Sequence, residues 1–349
     1  MAGLRSLPLG AQFWPERATH LDVPRLQRMY EAGFAGAYGE PQEEEQLLGS
    51  LPYPDGEQVA HDFGLAGGGA GKLSLPYIYA YKHWPKVWPS PPQRTGNCVA
   101  RAGKNCAIVL IGVEVATGKP DEVTGQVEGF PEVSDEGEKQ GVVVWENMYG
   151  DRGHSGQGAS CSRLQTYVTT KGGILLRKNY PNLNRDFTVS NTQLGINWGR
   201  TGTPSDVNVE GQKHQIRTAT KCGNHENARD FIASGYPVWA CSSLGWSSQR
   251  DENGYARQRG KWMHSWIVMG YDDRPETVRQ YRNPLALLCH DWGVWNTGGR
   301  RILGTDMDIP EGAWWADAPL LDQCNLKAMS SMDGWKPRQL PDYGGSLLG

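Results

Sequence analysis

Three observations predict an α+β chain: helix signals gather in the first two thirds, strand-like apolar runs follow them, and no strand-helix-strand repeat alternates the two. Glycine (45) and proline (22) supply about a fifth of the 349 residues, too many turn formers for a helical bundle. At roughly 100 to 200 residues per domain, the length suits one large domain with extensions.

The elements follow in order. Residues 1–73 form an N-terminal extension with one short helix signal, Asp22 ahead of Pro24 and then Leu26, Met29, Tyr30 and Phe34 at helical spacing. It ends in Gly64–Lys72, GLAGGGAGK, which lacks the residues of a phosphate-cradling loop and is expected to be a flexible connector. The main domain spans 74–306. Cys98, Ala102, Cys106 and Val109 share one face of a first helix that Asn97 is placed to cap. A second helix, SCSRLQTYVTTKGG, stops at Gly172 and Gly173, and HENARDFIASG makes a third. PVWACSS, WMHSWIVMGYDD and LALLCHDWGVW read as strands. The inserted RPETVRQYRNP carries no readable role. Residues 307–349 form a C-terminal extension with one helix and a Pro/Gly-rich tail.

Composition removes several classes of function. Lys and Arg number 35 against 38 Asp and Glu, a net charge of -3, so no basic surface is expected for nucleic acid or an anionic membrane. Mean hydropathy is -0.57, no apolar run approaches 18 residues, and the first residues lack the apolar stretch of a secretory signal. The seven cysteines, 98, 106, 161, 222, 241, 289 and 324, contain no CxxC pair, and free thiols are the simplest expectation. Fourteen tryptophans and fourteen tyrosines require hydrogen-bond partners as well as burial. His20, His61, His83, His154, His214 and His225 show no metal-ligand spacing, and Cys289, His290 and Asp291 point alternately along a strand, so no metal or cofactor is expected.

Two residues carry potential chemistry. Cys98 follows a Gly-Asn turn at a helix start, where the helix dipole and unpaired amides favour a thiolate. His264 lies in an apolar run, an odd place for an imidazole unless something uses it.

Four segments in order resemble the papain-like cysteine peptidases: Gln93 ahead of GNCVARA, then GQGASCSRLQTYVTTKGGILLRKNYP, then HSWIVMGYDD, then LLCHDWGVW. The resemblance covers roughly residues 75–305. It implies a fold of two subdomains, a helical part carrying the cysteine and an antiparallel β part carrying the histidine. It makes Cys98 the nucleophile, His264 its base, and the Gln93 side chain with the Cys98 amide the oxyanion donors. Gly158 takes a substrate-contacting place, and Trp292 covers the residue that orients His264. The orienting asparagine of the family is replaced by His290 with Asp291 beside it; strand alternation from Trp292 favours His290, with Asp291 the alternative. The Gln93–Cys98 spacing is one residue short, and Val99 stands where the family has tryptophan. Thr95 and Ser155 occupy the places of a disulfide in secreted relatives, which fits a reducing compartment. Cys161 and Cys289 are expected to be buried packing thiols.

The resemblance implies a cysteine hydrolase that cuts a peptide or related amide bond through a thioester. An amidase of bacterial wall peptides shares the same pair. The alternative from another class is a papain-like fold kept as a structural or binding subunit of a large assembly or homo-oligomer, such as a virus particle. The expected location is correspondingly the cytoplasm or a virus particle.

Overall fold

The computed structural model describes residues 54–118, 131–291 and 300–344. The helix signal at Asp22–Phe34 and Trp292 lie outside them. The chain is α+β. Its helices are α1 (Gly56–Asp62), α2 (Tyr77–His83), α3 (Cys98–Thr117), α4 (Asp135–Lys139), α5 (Glu146–Gly150), α6 (Cys161–Thr166), α7 (Thr192–Thr201), α8 (Ser205–Gln212), α9 (His225–Ala233) and α10 (Pro275–Tyr281). The strands are β1 (Leu73–Ser74), β2 (Asn179–Tyr180), β3 (Arg185–Asp186), β4 (Ala219–Lys221), β5 (Val238–Trp246), β6 (Gln258–Asp272), β7 (Leu285–Cys289), β8 (Ala313–Asp317) and β9 (Asn325–Met329).

A seven-stranded antiparallel sheet runs β4-β9-β5-β6-β7-β8, with β1 added to the end of β6. Two of its strands, β8 and β9, lie beyond residue 306. Their sequence was expected to be an extension with a helix, yet β9 sits inside the sheet between β4 and β5, and the helical piece is a 3-10 turn at Ala318–Gln323. The reason is local: β5 is buried along nearly all its length and needs a partner on its second edge. The insert RPETVRQYRNP becomes α10, the connection from β6 to β7.

Against the sheet lies α3, buried on every side from Cys98 to Val113. Gly103 lets it approach the Trp239 ring of β5, and Gly112 lets it approach Ala80 of α2; a Cβ at either would clash. A smaller second core of Val144, Leu175, Tyr180, Phe187, Trp198 and Val207 holds the helical part together. Buried indoles find partners at Trp88 (Asn105, 3.1 Å), Trp145 (Ser190, 3.0 Å) and Trp239 (Ser265, 3.0 Å), whereas those of Trp246 and Trp266 find none among the described residues. The expected second helix is α6, extended by a π-helical turn through Lys171 to Gly172.

The Gly64–Lys72 connector is tied down where a flexible segment was expected. The Asp230 carboxylate accepts from the amides of Gly67 (2.7 Å) and Gly69 (3.2 Å), and Asp273 accepts from that of Gly71 (2.9 Å). No helix among the described residues is long and apolar enough to cross a membrane.

Candidate active site

Cys98 is the first residue of α3, and its side chain reaches β6, where the Ser265 backbone amide faces the sulfur together with the amides of Val99 and Cys98 itself. Those dipoles favour a thiolate, but Cys98 is only 2% exposed, and burial prevails and pushes the thiol up to about 12. Asn97 sits at the cap position without capping. Its amide instead donates to the Thr95 carbonyl (3.0 Å) and accepts from Arg101 Nε (3.2 Å), bracing the turn that delivers the cysteine.

His264 precedes Ser265 on β6, and its Nε2 meets Nδ1 of His290, just past β7, at 3.2 Å with the rings nearly perpendicular. Burial pushes His264 down to about 3, while the charge of Asp291 works the other way. Burial, the neighbouring His264 and Arg250 hold His290 well below the usual histidine range, so both imidazoles are neutral near pH 7. The far side of His290 is fixed by the Trp314 ring, 4.7 Å between centroids, and by its own backbone amide on the Gly312 carbonyl.

Asp291 points elsewhere, as strand alternation requires. Its carboxylate lies 2.6 Å from Lys104 Nζ and 3.2 Å from Arg101 Nη1, and it accepts from Asn105 Nδ2 at 3.1 Å. Burial works against this carboxylate, but Lys104 and Arg101 hold it below its usual range. Asp291 is therefore committed to α3 as the anchor of that helix. The sequence carried a signal for this cluster that went unread: Arg101, Lys104 and Asn105 share one face of an otherwise apolar helix, and such a face needs a buried anion.

Gln93, 4% exposed, donates from Nε2 to the Thr95 carbonyl (3.2 Å), and its backbone amide bonds to the Asp291 carbonyl (2.9 Å). The side chain is folded into its own loop, in line with the shortened spacing to Cys98. Gly158, at φ +81°, lies against Gly96, and the neighbouring Gln157 accepts from the Gly96 amide at 2.9 Å. The loop ahead of Cys98 and the glycine-rich loop thus form one unit.

Cys161 and Cys241 form a disulfide, which corrects the expectation of seven free thiols and of Cys161 as a packing thiol. It joins α6 to β5, and Cys241 is the cross-strand partner of Ser265, its sulfur 3.3 Å from the Ser265 hydroxyl. A separation of 80 residues gives no sequence signal for such a pairing. The bond also runs against the reducing compartment inferred from Thr95 and Ser155. Cys289 is buried and free as expected.

Among the described residues no cluster of His, Cys, Asp and Glu is arranged to hold a metal.

No family model matches the chain, and no curated protein matches it. Similar solved structures are cysteine proteases. Xylellain from Xylella fastidiosa is 11% identical with a TM-score of 0.44, over 70% of this chain and 82% of that one. The proform of the ragweed pollen protease Amb a 11 is 14% identical (TM-score 0.43, 85% and 74%). A procathepsin B from Trypanosoma congolense is 11% identical (TM-score 0.43, 87% and 88%). At these identities and scores they assign no residue a role.

Proposed function

We propose that the chain is a papain-like thiol hydrolase that cleaves a peptide or related amide bond through a thioester on Cys98. The observation that carries this reading is the convergence of three elements. The start of α3 presents the sulfur to the Ser265 amide, the next residue back on β6 is a histidine, and a second histidine just past β7 is bonded to the first.

The contact is compatible with a workable tautomer. With the proton of His264 on Nε2 and donated to His290 Nδ1, the Nδ1 lone pair of His264 is the acceptor for the thiol proton. Sγ then adds to the substrate carbonyl carbon, the oxyanion is received by the Cys98 amide at a gain on the order of 3 kcal/mol, and His264 returns the proton to the departing amine. Water, deprotonated by the same imidazole, cleaves the thioester.

As it stands the pair is thiol and imidazole rather than thiolate and imidazolium, because burial raises one pKa and lowers the other. Substrate entry must supply polarity to the site before the proton moves. This neutral, buried pair is also what favours the second reading, a retained fold without turnover.

A set of peptidyl vinyl sulfones separates the two. Covalent labelling mapped to Cys98 by mass spectrometry, and lost in His264→Ala, supports the hydrolase. No labelling, or labelling indifferent to His264→Ala, removes it.

A further inference from the structure

The two ends of the Cys161–Cys241 disulfide both lead to the nucleophile. Cys241 on β5 is the cross-strand partner of Ser265, its sulfur 3.3 Å from the Ser265 hydroxyl, and the Ser265 amide faces Cys98 Sγ. That hydroxyl also donates to the Ala240 carbonyl (2.9 Å) and accepts from Trp239 Nε1 (3.0 Å), so Ser265 moves only with β5. Cys161 opens α6 three residues after Gly158, whose amide nitrogen would stand 2.6 Å from a Cβ on Gly96. Gly96 lies two residues before Cys98. One covalent bond therefore restrains both the loop that delivers the sulfur and the strand that faces it.

The site it closes is sealed from solvent. Cys98 and His264 are each 2% exposed and Cys161 and Cys241 no more so, and that burial is what keeps the thiol and the imidazole neutral. Two thiols need more room than one disulfide, because non-bonded atoms settle roughly 3.5–4.0 Å apart and a close-packed interior has no space to spare. Opening the bond must push α6 away from β5. The halves stay joined, since Asp291 holds Lys104 at 2.6 Å and Arg101 at 3.2 Å, and Ser162 accepts from Lys327 Nζ of β9 at 3.1 Å. The interface loosens without coming apart.

We propose that the disulfide is a redox lock on this site, closed while the bond is intact and opened when a dithiol reduces it. A thiolate of the dithiol attacks one sulfur and displaces the other as a thiolate, which takes up a proton; the second thiol then attacks the mixed disulfide. Two electrons and two protons pass to Cys161 and Cys241, and the dithiol leaves as its own disulfide. Water entering the loosened interface removes the desolvation that opposes charge, and the proton moves from Cys98 to His264 Nδ1. The lock regulates the proposed hydrolase site and rests on that reading for its purpose, but it is measured on the sulfur itself.

Alkylation of Cys98 by iodoacetamide at pH 7.5, located by mass spectrometry, is timed in three forms of the full chain. These are the oxidised protein, the protein reduced with dithiothreitol and freed of it by anaerobic gel filtration, and Cys161→Ser/Cys241→Ser. Both opened forms should react at Cys98 at least 10-fold faster than the oxidised chain, with unchanged circular dichroism, and the gain should largely vanish in a His264→Ala background. Equal or slower alkylation overturns the lock, as does loss of native circular dichroism on reduction, or a gain indifferent to His264→Ala, which is exposure alone. The reduced chain changes no residue and decides the matter if the serine pair does not fold. Peptidyl vinyl sulfones separate the two readings. Fast alkylation of the reduced chain without vinyl sulfone labelling removes the hydrolase and leaves the lock; labelling of the oxidised chain at the rate of the reduced one removes the lock and leaves the hydrolase.

Discussion

His264 and His290 share one hydrogen bond, Nε2 to Nδ1 at 3.2 Å, across the β6–β7 pair. An imidazole acceptor orients its neighbour as an amide oxygen would, but it adds a second group that must remain neutral. His290→Ala is expected to lower kcat of any hydrolysis about 100-fold, as loss of an orienting partner does, and to cost about 1–3 kcal/mol of stability, since it opens a cavity beside Trp314 and strands His264 Nε2. Steady-state kinetics on the labelled substrate class, together with thermal melts, read both quantities.

Asp291→Ala should show the opposite balance. Its carboxylate is fully buried against Lys104 and Arg101, and its removal strands two cations beneath α3. A loss of about 3–5 kcal/mol in urea-determined stability is expected. A stability loss under 1 kcal/mol, with activity abolished, would transfer the orienting role to Asp291.

Acid should destabilise the protein before its carboxylates titrate. The folded pKa of His264 is about 3 against an ordinary 6.5, so between those values the unfolded chain binds the extra proton and stability falls as pH falls. His290 acts in the same direction. Stability above pH 6.5 should be flat with respect to these groups. Denaturation at pH 7.5, 6, 5 and 4 should show a decline that the double variant His264→Gln/His290→Gln flattens; an unchanged slope would show that other groups set it.

Cys98→Ala should abolish hydrolysis with the fold intact, since the smaller side chain removes one sulfur from a buried site and no charge. Circular dichroism and the urea midpoint check the fold; retained turnover would mean that Cys98 is not the nucleophile.

The Cys161–Cys241 disulfide closes a loop of 80 residues and ties the helical part to the sheet. Chain entropy alone assigns it roughly 4 kcal/mol. Cys161→Ser/Cys241→Ser is expected to lower stability by about 2–4 kcal/mol in non-reducing buffer, and the parent in a strong reductant should approach the variant.

Much of this protein was legible in the sequence because it is written locally. Residue periodicity placed the helix at Cys98, the double glycine ended the next one at Gly172, and runs of apolar residues located β5, β6 and β7. Strand alternation separated His290 from Asp291, and the order of the motifs put Cys98 and His264 on the helical and sheet sides. Tertiary structure decided what depends on distant partners. It paired Cys161 with Cys241, drew β8 and β9 from an apparent extension into the sheet, and folded Gln93 back onto Thr95. It also gave Asp291 to the cations of α3 and buried Cys98 and His264 deeply enough to keep both neutral. Each of those outcomes is set by which surfaces meet and how much water is left between them, and such energies have no period in the chain that would reveal them.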